Sequence, residues 1–148
     1  MQALTNAEIH DRAQLEQLSR VLHHSAVFTD ILNTSEAEHF LVISVNGKHF
    51  VKIMVYPLME DAAIKITIEG EQISDDVLVA LGNLAARVNI IHSSGFTFQQ
   101  NRLVYEIYLA KTMAFQQFED VQQEFMKLDA IDRVSLEEIN PTNPSTSN

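Results

Sequence analysis

Apolar and polar positions along the chain change period several times, and each change predicts an element. Leu15, Leu18 and Leu22 recur at helical spacing. Thr5 and Glu8 have the spacing of a capping box, with Leu4 and Ile9 at staple positions, so a helix is expected over 5–22. Residues 23–36 carry Val27, Phe28, Ile31 and Leu32 without a clear period, and read either as an irregular segment packed over the core or as a short strand. His39–Val45 and Lys48–Tyr56 are rich in β-branched and aromatic residues around Asn46-Gly47, a strong hairpin signal. Pro57 is expected to stop the second of these strands. Ala62–Glu69 alternates, with Ile64, Ile66 and Ile68 on one face, and Gly70 ends it.

Ser74 with Asp75 and Asp76 marks a helix N-terminus. Val77, Leu78, Leu81, Leu84, Ala85 and Val88 form its expected apolar face, with Gly82 in mid-helix. Ser94–Gln99 and Arg102–Leu109 predict a second hairpin around Gln100-Asn101. Phe115, Phe118, Val121, Phe125 and Leu128 give a last helix, and Val134, Leu136 and Ile139 a short ending element. The class is α+β, in the order helix, three antiparallel strands, helix, two strands, helix. Residues 1–139 read as one domain and 140–148, rich in Pro, Thr, Ser and Asn, as a disordered tail.

A two-residue turn at Asn46-Gly47 would set Val45 opposite Lys48, Ile43 opposite Phe50 and Leu41 opposite Lys52. Leu41, Ile43, Val45, Phe50 and Met54 then share one sheet face, and Phe40, Val42, Val51, Ile53 and Val55 the other. A sheet with one wet face should alternate apolar and polar residues. Both faces here are apolar, so the second needs a cover: the chain itself, a twin subunit or a ligand. In the second hairpin Phe98 should face Leu103 and Phe96 should face Tyr105, with Ile107 on that core side. Tyr108 lies on the mixed outer face with Thr97, Gln99, Arg102, Val104 and Glu106, as a candidate contact residue.

Charge narrows the partners. The 148 residues carry 20 acidic and 10 basic side chains, a formal charge of -10, which repels phosphates and anionic lipid. Nucleic acid and membranes are therefore not expected partners, and a basic protein segment is attracted. The chain has no cysteine, which excludes disulfides, cysteine-ligated zinc and thiol catalysis and fits a cytoplasmic setting. Glu8, Asp11 and Glu16 interrupt the first 25 residues, so no signal peptide is expected, and no run approaches the ~18 apolar residues of a membrane span.

Chemistry-bearing patterns are sparse. There is no glycine-rich phosphate loop, dinucleotide fingerprint or nucleophile elbow. His23 and His24 are adjacent, His39 and His49 fall on opposite sheet faces, and His10 and His92 are isolated, without the i, i+4 spacing of a helical zinc pair. No catalytic residue, metal ligand or cofactor site is assigned. The expected function is a non-catalytic protein-binding domain, chaperone-like or a regulatory adaptor, rather than an enzyme. The alternative is a small-molecule or lipid-binding regulatory domain that uses an apolar sheet face as a pocket wall. The candidate partner or dimer surface comprises Leu41, Ile43, Val45, Phe50, Met54, Gly82 and Tyr108.

Several segments together resemble a known family. Leu81-Gly82-Asn83-Leu84-Ala85-Ala86-Arg87-Val88-Asn89, Gly95-Phe96-Thr97-Phe98 and Asn101-Arg102-Leu103-Val104-Tyr105-Glu106, followed by the Phe115/Phe118 helix, look like the YbjN-type family of putative sensory transduction regulators. That family shares the fold of type III secretion chaperones. The matching residues lie mainly between Leu81 and Phe125. The resemblance implies a cytoplasmic, bacterial-type protein that binds other proteins, often as a homodimer, and it carries no catalytic residue across.

Overall fold

The computed structural model describes residues 3–22 and 26–142, with the backbone alone for 26–28 and 112–117. Expectations that fall on His23, His24, the Val27, Phe28 and Phe115 side chains, and 143–148 lie outside the described residues. The class is mixed α+β, with antiparallel strand pairs and, among the described residues, four helices. The chain divides into two compact units: an N-terminal one of Thr5–Ala62 with 139–142, and a C-terminal one of 3–4 with Ala63–Glu138.

In the N-terminal unit the order is β1 (Asn6–Asp11), α1 (Arg12–Val21), α2 (Ala26–Thr34), β2 (His39–Asn46) and β3 (Val51–Leu58). The expected helix over 5–22 thus begins as a strand. Asn6–Asp11 pairs antiparallel with β2, setting Asn6 opposite Ser44, Ile9 opposite Leu41 and Asp11 opposite His39. The capping box lies six residues later than Thr5: Asp11 accepts from the Gln14 amide, and the Gln14 side chain accepts from the Asp11 amide. Both Thr5-x-x-Glu8 and Asp11-x-x-Gln14 satisfy the local rule, and strand pairing chooses between them. Residues 26–34, read as irregular or strand, are helical.

The strand order is β1-β2-β3. One face packs Phe40 and Val42 with Leu15, Leu18, Ile31 and Leu32 of the two helices. Arg12 ties α2 down. Its guanidinium donates to the Leu32 carbonyl at 2.6 Å and to the Ser35 carbonyl, and lies 5.7 Å from the centre of the Phe40 ring.

The first hairpin turns later than expected. Val45 faces Lys52, Ile43 faces Met54 and Leu41 faces Tyr56. The connection spans 47–50 and is closed by the Gly47 amide donating to the Phe50 carbonyl at 2.8 Å. Each partner lies four residues beyond the expected one. An even slip leaves every side chain that stays in the strands on its expected face, because strand side chains alternate with period two, while Lys48 and Phe50 move into the connection. Gly47 does not hold a positive φ. A Cβ there would meet the Phe50 ring at 2.4 Å, so glycine admits a close ring. Pro57 does not end β3, which runs to Leu58. β3 is an edge strand, where a missing donor is tolerated.

Residues 141 and 142, expected in the tail, are held by the N-terminal unit. Pro141 forms a parallel bridge with Ile9. Thr142 donates to the Ile9 carbonyl through its amide at 3.2 Å and its hydroxyl at 3.1 Å, and its own carbonyl accepts from the Gln14 side chain. A chain ending at Asn140 is therefore expected to lose about 1–2 kcal/mol, since each net hydrogen bond contributes roughly 1 kcal/mol. Comparing its denaturant midpoint with that of a chain ending at Asn143 checks this; equal midpoints would mean these bonds contribute nothing.

The C-terminal unit runs β4 (Ala63–Gly70), α3 (Asp75–Arg87), β5 (Ile90–Ser93), β6 (Thr97–Gln99), β7 (Arg102–Ala110), α4 (Lys111–Met126) and β8 (Ile131–Ile139). Its sheet has the order β5-β7-β4-β8, with β6 also paired to β7. Ile64, Ile66, Ile68, Ile107 and Leu109 pack one face against Val77, Leu84 and Val88 of the α3 segment and Val121 and Phe125 of α4. Ser74 caps α3 by accepting from the Val77 amide. The strand β5 had no signal in the pattern, and the ending element is a full strand.

The second hairpin turns at Gln100-Asn101, with Gln99 opposite Arg102 and Phe98 opposite Leu103. Gln100 and Asn101 hold φ of 50° and 63°. The Phe96 and Tyr105 rings lie 5.0 Å apart. Two positive φ values suit a type I′ turn, which strongly prefers Asn-Gly. Replacing Gln100-Asn101 by Asn-Gly is expected to raise stability by about 1 kcal/mol, because left-handed backbone costs an ordinary residue about 1–2 kcal/mol. An unchanged or lower denaturant midpoint would contradict this turn geometry.

Candidate functional site

The seven candidate surface residues do not form one site. Leu41 and Ile43 are fully buried, and Val45 and Met54 are half-buried. Phe50 lies in the turn and is 61% exposed. The sheet face offered for self-association is therefore closed at its centre. Tyr108 is also fully buried, so it is no surface contact. Gly82 is exposed, and a Cβ on it would meet nothing within 4 Å.

Tyr108 belongs instead to a polar face of the C-terminal sheet. Strand alternation sends Ile64, Ile66 and Ile68 to the core and Lys65, Thr67 and Glu69 to the opposite face. Register places Lys65 beside Tyr108, Thr67 beside Glu106 and Glu69 beside Val104. Glu106 thus lies diagonal to Lys65, and the Lys65 Nζ is 2.7 Å from the Glu106 Oε2. Both are buried, Lys65 at 5% and Glu106 at 1% exposure. The Tyr108 ring centre lies 5.7 Å from the Lys65 ammonium. Arg133, Ser135 and Glu137 of β8 complete the rim of a cleft of about 200 Å³ on this face.

Electrostatics decides what these groups can do. Burial on its own lowers a lysine pKa. The hydrogen bond to Glu106, with Tyr108 and the charge of Glu106, outweighs that and holds Lys65 above its ordinary value. A lysine kept protonated has no lone pair for nucleophilic or base work, and the Glu106 carboxylate is committed to holding it. Four other cations of this unit form ion pairs: Arg87 with Glu124, Arg102 with Asp132, Lys111 with Glu138 and Arg133 with Glu69. Among the described residues no group of three or more His, Asp or Glu is placed to hold a metal ion. No described helix is long and apolar enough to cross a membrane.

The outer face of α3 is the second distinctive feature. Its inner face buries Val77, Ala80 and Leu84. Leu78, expected in the core, is 47% exposed, and Val79 is 62% exposed. Ala85, also expected inside, is exposed with Ala86. The apolar arc of this helix is wider than the sheet beneath can cover. Helical spacing sets Val79, Gly82 and Ala86 opposite the core-facing residues.

The chain matches no protein-family model, no curated protein and no solved structure.

Proposed function

We propose that this chain is a non-catalytic protein-binding domain whose contact surface is the outer face of α3. The observation that carries this reading is a helix apolar on both sides, with Leu78 and Val79 in water beside the exposed Gly82. Exposed aliphatic side chains lose about 25 cal/mol for each Å² left uncovered, so a partner that covers them gains affinity. The Lys65–Glu106 pair, held ionised and buried, supports a structural role for the most enclosed titratable groups.

A second copy of the chain suits this face. Two α3 helices crossing antiparallel at Gly82 would set Leu78 and Val79 of each against Ala85 and Ala86 of the other. That arrangement places large side chains over small ones. It also opposes the two helix dipoles.

The test is the paired substitution Leu78→Lys with Val79→Glu, which leaves net charge unchanged. Both side chains are exposed, so stability should stay within about 0.5 kcal/mol. The parent is expected to sediment above 16.7 kDa, or to retain a partner protein from host extract, and the variant to lose either association. A parent that stays monomeric at high concentration, with the same captured proteins as the variant, would sink the reading.

A further inference from the structure

The sheet of the N-terminal unit ends in an edge strand. In the order β1-β2-β3, β3 pairs, among the described residues, only with β2. The bond from the Gly47 amide to the Phe50 carbonyl sets the phase of that ladder. Antiparallel pairs alternate between bonded and non-bonded. Register then makes Val45–Lys52, Ile43–Met54 and Leu41–Tyr56 the bonded pairs. The backbone groups of Val51, Ile53, Val55 and Pro57 therefore point away from β2. Pro57 fits this phase, since its position asks for no donor toward β2.

Apolar side chains stand in water along this edge and at its ends. Phe50 is 61% exposed, Val51 63% and Met59 100%. A strand edge with apolar side chains is a template for another strand. Charge says which strand. Lys48, His49 and Lys52 lie toward the start of the edge, and Glu60 and Asp61 just past its end. A parallel copy would lay like charge on like. An antiparallel copy lays the basic end of each edge along the acidic end of the other. The strand whose charges run in the reverse order is thus the chain's own, turned by a two-fold axis.

We propose that two copies of this chain join antiparallel along β3, about a two-fold axis at Ile53, into one continuous sheet. The register follows from the residues. With Ile53 opposite the twin's Ile53, Val51 meets the twin's Val55, and each such pair exchanges both its N–H···O bonds. Phe50 falls opposite the twin's Tyr56, ring beside ring. Pro57 lies beyond these pairs, so its missing donor costs them nothing. Slipping one copy by two residues toward the turn would set Lys52 against the twin's Lys52, like charge directly opposite. The same slip the other way would set Val51 against the twin's Pro57, which has no donor to give. The proposal rests on no part of the α3 reading, and either can fail without the other.

Amide hydrogen exchange followed by NMR tests this residue by residue, in the parent and in the Leu78→Lys with Val79→Glu variant that blocks the α3 face. In dilute protein the Val51, Ile53 and Val55 amides are expected to exchange fast, while β2 holds those of Lys52, Met54 and Tyr56. In concentrated protein the first three are expected to slow by about tenfold or more, in both proteins alike. Val51→Pro removes one donor at an exposed edge position, where proline is tolerated, and should erase the slowing at Ile53 and Val55. Protection retained at Lys52, Met54 and Tyr56 shows that this variant has folded. Should it not fold, Lys48→Glu, on an exposed side chain, should weaken the slowing at low salt by setting like charge along Glu60 and Asp61. Fast exchange at every concentration would overturn the proposal. So would slowing in the parent but not in the α3-blocked variant, or protection independent of concentration, which would mean that the chain covers its own edge.

Discussion

Replacing Glu106 by Gln should destabilise the protein by about 3–5 kcal/mol, the usual cost of leaving one member of a buried ion pair without its counter-charge. Lys65 Nζ and Glu106 Oε2 are 2.7 Å apart with side-chain exposures of 6% and 1%, so a stranded charge has little access to water. Lys65→Met should cost a similar amount, because it strands the carboxylate instead. The double variant Lys65→Met with Glu106→Leu should recover most of the loss, since a packed apolar pair avoids the desolvation penalty of both charges. The coupling in this cycle separates the pair from its packing. The pH dependence has a fixed sign. Lys65 is held above its ordinary value of 10.5 in the folded state. Its contribution is therefore complete below that value and is lost as pH rises through the higher folded value. The stability difference between the parent and the double variant should stay flat through neutral pH and fall only in strong alkali. Chemical denaturation of all four proteins checks both points; a Glu106→Gln protein with the parent's midpoint would show the pair to be hydrated.

Gly70→Ala should be nearly as costly, at about 3 kcal/mol, toward the upper end of typical overpacking losses. A Cβ at Gly70 would stand 2.2 Å from the Ala130 carbonyl oxygen and 3.2 Å from the Ile131 Cα. Those obstacles are backbone, which cannot swing aside. The same carbonyl accepts from the Glu71 amide at 2.9 Å, so relieving the clash also loosens a bond that joins the end of β4 to the start of β8. Gly82→Ala is the contrasting case. Nothing lies within 4 Å of its Cβ position, and alanine stabilises a helix interior by about 1 kcal/mol over glycine. Opposite signs in two denaturant midpoints are expected from the same chemical change. A Gly70→Ala protein as stable as the parent would mean that the β4–β8 junction is looser than these distances state. Gly82→Ala also bears on function, because it adds a methyl group to the outer face of α3 without unfolding the helix.

Local chemistry settled much of this protein from the sequence alone. Ile64, Ile66 and Ile68 announce a strand with one core face. Ser74 with Asp75 and Asp76 marks where α3 begins, and Gln100-Asn101 marks a turn whose register follows from its length. Even the first hairpin, misplaced by an even slip, kept its faces because side-chain alternation survives such a slip. Tertiary structure decided what local rules leave degenerate. Asn6–Asp11 satisfies a helix-start pattern and a strand pattern equally, and pairing with β2 selects the strand. Leu78 and Ala85 continue the apolar arc of α3, but the sheet beneath is too narrow to take them. Lys65, Glu106 and Tyr108 alternate with core residues and so read as an outer, wetted face. They are far apart in sequence, and β4–β7 register makes them neighbours. Burial is a property of what lies on top of a residue, and a sequence pattern reports only which side of its own strand or helix the residue is on.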